Sequence, residues 1–122
     1  MDSDLENGLG SISAVDGRYR GKVKSLVGYF SEYSFIRYRI LVEIEYLIAL
    51  SKIDLIDNFS PEETAYLKAI YQDFNMEDAK KVKQIEGKIK HDVKSIEYYL
   101  KSKILENQAL EDKGISIFVH FA

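Results

Sequence analysis

The sequence predicts an all-α protein of three to five helices, and three observations predict it. Apolar residues recur at spacings of three and four along much of residues 22–105. Helix-start signatures stand at Ser60 and Asn75, with the chain's single Pro at the first position of one of them. β-prone residues gather in the last segment, Ile115-Ser116-Ile117-Phe118-Val119-His120-Phe121-Ala122, where a lone strand has nothing to pair with. At 122 residues, 46% hydrophobic and 30% charged, the chain is expected to fold as one domain around one small core.

Residues 1–10 are polar, acidic and Gly-containing, without apolar periodicity, and are expected as a mobile arm preceding a helical domain over 11–122. From Lys22 to Lys52 there is no Pro and one Gly, and Ile36, Ile40, Leu41, Ile44, Leu47 and Ile48 fall on one face. A long amphipathic helix is expected, with a bend near Gly28 to Ser31. Ser60-Pro61-Glu62-Glu63 is a capping box with Pro where its missing N–H costs nothing, so a helix starts there. Its apolar face is Tyr66, Leu67, Ile70, Tyr71 and Phe74. Asn75 recaps the chain three residues before Asp78, and another helix begins near Met76. Beyond it Val82, Ile85, Ile89, Val93, Ile96, Leu100 and Ile104 keep one stripe in phase across Gly87, with Lys80, Lys83, Lys90, Lys94 and Lys101 beside it. Either one helix spans about 77–105, or two short ones join with little loss of phase. Residues 106–114 are expected as a loop, and the final segment as a short extended or helical tail whose apolar end reads as cut rather than finished.

Composition excludes several function classes. With no Cys there is no disulfide framework, thiolate zinc site or Cys nucleophile, which fits a reducing compartment. The acidic start, Met1-Asp2-Ser3-Asp4, has the wrong charge for a signal peptide, and Glu43 and Glu45 interrupt the most apolar window, so no membrane span is expected. A net charge of -3 argues against a surface that binds nucleic acid as a whole. Two His 29 positions apart give no metal-ligand spacing, and no Gly-rich phosphate loop is present.

Three features carry candidate chemistry. Asp16-Gly17-Arg18-Tyr19 is either a plain turn, with Gly17 accepting positive φ, or an anion site in which Arg18 offers a planar fork and Tyr19 a hydroxyl. His91-Asp92 puts the one His beside a carboxylate, yet adjacent residues on a helix do not face each other. On a straight helix His91 would be a solvated surface residue unless another helix or subunit covered that face. Eight Lys against five acids between Met76 and Lys103 give a local net of +3, which reads as a solvated face, as a guide for a protein partner in a helical interaction module, or, more remotely, as a nucleic-acid surface.

Three blocks in register resemble the N-terminal part of the adenylosuccinate lyases, a family of the fumarase and aspartase superfamily. They are Ser13-Ala14-Val15-Asp16-Gly17-Arg18-Tyr19, followed by Phe30-Ser31-Glu32-Tyr33 and Arg37-Tyr38-Arg39-Ile40-Leu41-Val42-Glu43; His91-Asp92-Val93-Lys94-Ser95-Ile96-Glu97-Tyr98-Tyr99-Leu100; and Phe118-Val119-His120-Phe121-Ala122. The resemblance implies an N-terminal helical domain that ends before the superfamily's central bundle. It implies a cytoplasmic homotetramer that eliminates fumarate from adenylosuccinate to give AMP, and from the succinylated carboxamide intermediate (SAICAR) to give AICAR, in purine biosynthesis, without cofactor or metal. On that resemblance Arg18 and Tyr19 contact the nucleotide, and His91 and Asp92 lie in the substrate site, His91 with a supporting role in proton management. Lys90 stands where relatives commonly carry Asn or Arg; it keeps a positive charge and loses bidentate geometry. His120 matches the His of a substrate-binding segment whose Thr-Ser pair would follow Ala122. The family's general-acid His and mobile-loop Ser have no counterpart here, so the chain alone is expected to be inactive.

Overall fold

The computed structural model describes the backbone of residues 8–121 and the side chains of residues 8–119. The expectations for residues 1–7 and for the His120 side chain lie outside the described residues. The chain divides into two compact units, one ending at Phe35 and one beginning at Ile36.

The first unit is built from turns. A 3-10 turn, Gly8–Gly10, stands where the arm was expected to continue. Bonds from Tyr19 N–H to the Ala14 carbonyl (2.8 Å) and from Lys22 N–H to the Tyr19 carbonyl (2.9 Å) wind residues 14–22 into successive turns. A 3-10 turn, Lys24–Leu26, leads into a short helix α1, Val27–Phe30. The bend expected near Gly28 to Ser31 falls at Ser31, whose ψ of 164° leaves the helical region. Ser31 Oγ then accepts the Ser34 N–H at 3.1 Å and starts helix α2, Glu32–Lys52, as a short polar side chain at a helix entrance does.

The second unit holds the core. The α2 residues Ile40, Ile44 and Leu47 are fully buried, each stabilising the fold by roughly 1.5–3 kcal/mol. Past Lys52, Asp54 takes a left-handed φ of 62° and the Leu55 N–H returns to the Leu50 carbonyl, which closes the helix end. Helix α3, Pro61–Gln72, opens with the full capping box: Glu63 N–H to Ser60 Oγ at 3.1 Å and Ser60 N–H to Glu63 Oε1 at 3.0 Å. Leu67 and Tyr71 on α3, and Phe74 beyond its end, are buried as the spacing predicts, whereas Tyr66 and Ile70 are only half-buried. Arg37 Nε donates to the Tyr71 carbonyl at 3.0 Å and the Tyr71 hydroxyl donates to Glu45, tying α3 to α2. Burial and the Glu45 carboxylate push the Tyr71 hydroxyl up to about 12.

Asn75 and Asp78 form a second capping box and open helix α4, Met76–Ile89. The stripe that stayed in phase across Gly87 divides: α4 stops at Lys90, in the left-handed region at φ 59°, and a separate helix α5, Asp92–Leu105, follows. The two fold back on one another, since Phe74 meets Tyr99 edge-on at 6.0 Å and Asp78 hydrogen-bonds the Tyr99 hydroxyl. On a continuous helix, residues 78 and 99 would stand about 30 Å apart. Burial of Ile96, Tyr99, Leu100 and Ile104 with Val82 decides the matter, while Ile89 and Val93 at the junction are exposed. The lysine row of a continuous helix therefore does not form; Lys80, Lys83, Lys94 and Lys101 each pair with a nearby Glu on their own helix.

Residues 106–114 are not the loop the sequence suggested. Asn107 Oδ1 accepts the Leu110 N–H at 3.2 Å and starts a short helix α6, Gln108–Asp112, whose Leu110 is fully buried. The final segment is a 3-10 helix, Ile115–Phe121, that buries Ile115 and Val119. Lys113 Nζ clamps it to α3, reaching Glu63 Oε1 and the Asn58 carbonyl, both at 2.8 Å. Ile115 and Val119 are thus packed into the fold, while Ile117 stays exposed. Among the described residues no helix is long and apolar enough to cross a membrane.

Candidate functional site

Lys90, His91 and Asp92 come together at the turn between α4 and α5, and local chemistry shapes each one. Lys90 ends α4 with its N–H on the Glu86 carbonyl at 2.8 Å and its side chain exposed. His91 is extended, at φ -145° and ψ 110°, and its Nδ1 accepts the Lys94 N–H at 3.1 Å, so the imidazole caps α5. A ring that accepts at Nδ1 carries its proton on Nε2 when neutral, which leaves an exposed donor on the outer edge of the turn. His91 is therefore an exposed helix cap and not the mid-helix residue of a straight helix.

Asp92 is the first residue of α5. Its Oδ1 accepts the Val93 N–H at 2.9 Å and its Oδ2 accepts from Arg39 Nη1 at 3.1 Å. The Val93 N–H and then the Arg39 guanidinium hold its carboxyl below the usual carboxylate range. Asp92 therefore does not bond its neighbour His91 as a catalytic dyad would; it bonds the backbone and α2. Arg39 stands in a family-like block of the sequence, but nothing local marks it as a site residue, because its partner lies 53 positions away.

Arg18 and Tyr19 belong to the first unit. The Arg18 guanidinium carbon sits 5.4 Å from the Tyr19 ring centre and Lys22 Nζ 5.7 Å from it, so two cations flank one exposed aromatic face. Arg20 pairs with Asp16 at 3.3 Å. Gly17 is required, though not for a positive φ as the sequence suggested. A Cβ there would come within 2.8 Å of the Gly8 carbonyl oxygen and 3.0 Å of Ser11 Cβ, so the turn needs Gly for close approach. The unit also has an open cleft of about 470 Å³ walled by Arg20, Gly21, Lys24 and Val27, which no sequence motif marks. Arg18 and Tyr19 are not among its walls.

In the second unit a cavity of about 240 Å³ is lined by residues of three helices, among them Tyr66, Asp78, Tyr99 and Lys103. Burial and the Asp78 carboxylate raise the Tyr99 hydroxyl well above its ordinary value, and burial with Glu106 raises that of Tyr66. The Tyr66 hydroxyl donates to the Lys103 carbonyl. These groups satisfy one another and none of the sequence-predicted residues faces them. Among the described residues no three His, Asp or Glu side chains are placed to share a metal ion.

The geometry thus offers an exposed turn with one cation, one oriented imidazole donor and one offset carboxylate, and separately an Arg-Tyr turn. Both can bind an anion or a sugar-phosphate; neither holds a nucleophile or a buried base. No family model matches the chain. It is similar to the adenylosuccinate lyase of Dictyostelium discoideum, 41% identical over 119 residues, which are 94% of this chain and 25% of that protein. The adenylosuccinate lyase of Escherichia coli K12 is 42% identical over 117 residues, and that of Vibrio cholerae 40%, each over 93% of this chain and 25% of the relative. The chain spans about a quarter of the length of the curated relatives it matches.

Proposed function

We propose, from its kinship with the adenylosuccinate lyases, that this chain is the N-terminal quarter of such an enzyme and supplies part of its nucleotide site. The observation that carries the reading is identity of about 40% sustained over 93% of the chain. The complete enzyme eliminates fumarate from adenylosuccinate to give AMP, and from SAICAR to give AICAR, by general acid and base chemistry without metal or organic cofactor. It works in the cytoplasm as a homotetramer.

Its substrate is a polyanion, and the roles follow from the side chains available. Arg18 takes the phosphate with its planar fork, and Tyr19 adds a hydroxyl beside it. Lys90 contributes an unbranched positive charge at the α4–α5 turn. His91 donates Nε2–H to a substrate oxygen while Nδ1 holds the Lys94 N–H, so it binds and orients rather than abstracts a proton. Asp92 anchors the turn, and His120 completes the set from the last segment. The principal acid and base lie outside these residues, so this chain releases no fumarate unaided.

The test is titration of the chain with AMP, followed by backbone amide and His ring resonances, beside an Arg18→Ala control. Saturable shifts at Arg18, Tyr19 and His91 that the control abolishes support the reading. Shifts that Arg18→Ala leaves intact refute the assignment of Arg18, and fumarate release by the purified chain refutes the division of labour.

A further inference from the structure

The ion pair between Arg39 and Asp92 has no adequate explanation in stability. It is partly solvated, with the two side chains 26% and 56% exposed, and pairs of that kind contribute little to folding. Its placement is more informative. Arg39 projects from α2, the most deeply buried helix of the second unit, and reaches the first residue of α5, one position past the imidazole that caps it.

A carboxylate at that position has two consequences for a neighbouring site. It accepts the Val93 N–H and so stiffens the first turn, and it places a negative charge beside His91 and Lys90. A ligand carrying phosphate and carboxylate groups would be repelled by that charge unless a cation offset it. The other cation of the turn, Lys94, is engaged with Glu97 at 3.0 Å. Arg39 meets the need from α2, with a planar guanidinium whose Nη1 donates to Asp92 Oδ2.

We propose that Arg39 is a positioning residue for the candidate site: bonded to Asp92 Oδ2, it fixes the first turn of α5 and cancels the Asp92 charge, so that His91 and Lys90 can meet an anionic ligand. The inference rests on the reading of Lys90, His91 and Asp92 as a substrate-binding turn. Arg39 itself touches no substrate. It acts through Asp92.

The experiment follows the Asp92 side-chain carboxyl resonance across pH in the wild-type chain, in Arg39→Gln and in Arg39→Lys, with resonances of the buried Leu100 and Ile104 reporting the fold. Arg39→Gln should move the Asp92 titration to higher pH and disperse the Lys94 amide shift, while Arg39→Lys, which keeps the charge, restores most of both. If Arg39→Gln loses the Leu100 and Ile104 signals, the wild-type titration at low and high salt decides: an upward displacement of Asp92 at high salt supports the proposal and an unchanged titration overturns it. An Asp92 titration identical in all three proteins overturns it outright. AMP titration of the same samples tests the underlying reading separately. AMP binding should weaken roughly tenfold in Arg39→Gln, the scale of one charge-assisted hydrogen bond. A wild-type chain without AMP-dependent shifts at His91 sinks the nucleotide reading of the turn while the Asp92 titration still decides what Arg39 does to Asp92.

Discussion

Lys90 combines a strained backbone with a proposed ligand-binding charge, and two substitutions separate them. Its φ of 59° lies where an L-residue pays for the approach of Cβ to the following carbonyl, about 1–2 kcal/mol. Glycine escapes that cost but gives up about 0.5–1 kcal/mol more backbone entropy on folding. Lys90→Gly should therefore be about 0.5–1 kcal/mol more stable than Lys90→Ala, which retains Cβ and the strain. Both remove the ammonium, and both keep the N–H that bonds the Glu86 carbonyl. Urea unfolding followed by far-UV circular dichroism reads the difference, provided that the m-values agree; on a chain of this size it corresponds to a shift in Tm of about 2–4 °C. AMP affinity should fall equally in the two variants, because charge and not backbone is what the ligand loses. Equal urea midpoints would refute the argument from left-handed strain. A variant that binds AMP as the wild type does would refute the role given to the ammonium.

Two further predictions concern neighbouring caps. His91→Ala should destabilise the chain by about 0.5–2 kcal/mol through loss of the α5 cap, whereas His91→Asn, a good capping residue, should restore stability without restoring AMP binding. Equal melting of the two variants would remove the cap from the account. Burial pushes the carboxyl of Glu63, 6% exposed, up, but Lys113 and the Ser60 N–H and hydroxyl pull it down further, so its folded pKa lies below that of an ordinary glutamate. Its contribution is present above that value and is lost as pH falls through the folded pKa. Glu63→Gln should cost about 1–2 kcal/mol at neutral pH, a buried pair discounted because Lys113 can turn to solvent, and the gap from wild type should close in acid. A gap in urea midpoint that stays constant down to about pH 3 would contradict it.

What was legible in the sequence was local. Ser60 to Glu63 and Asn75 to Asp78 are bonds between residues three apart, and the side chains that make them are visible without any knowledge of the rest of the chain. The bend near Ser31 was legible as a position, but the long helix begins only after it, at Glu32, and a 3-10 turn and a short helix stand where its first turns were expected. The break at Lys90 was legible only as one of two alternatives, because neither Gly nor Asn marks it and the apolar spacing runs through it in phase. The information that opens the helix there is tertiary: Tyr99 finds Phe74 and Asp78 only if α5 turns back along α4. One local sign was present, an acidic residue following a residue able to cap, but His is a less common N-cap than Ser or Asn.

The same division runs through the candidate residues. The motif blocks carried Arg18, Tyr19, Lys90, His91 and Asp92 into view as residue types in order. What those residues can do depends on contacts that no spacing encodes. A His within a straight helix would have been a solvated base beside an unrelated acid. As the cap of α5 it has one nitrogen committed to the Lys94 N–H and the other offered outward as a donor, and its acidic neighbour is bonded to α2 through Arg39. The helix break at Lys90 is therefore what sets His91 and Asp92 apart: it leaves the imidazole with an exposed donor edge, suited to an oxygen of an anionic ligand, and directs the carboxylate to Arg39.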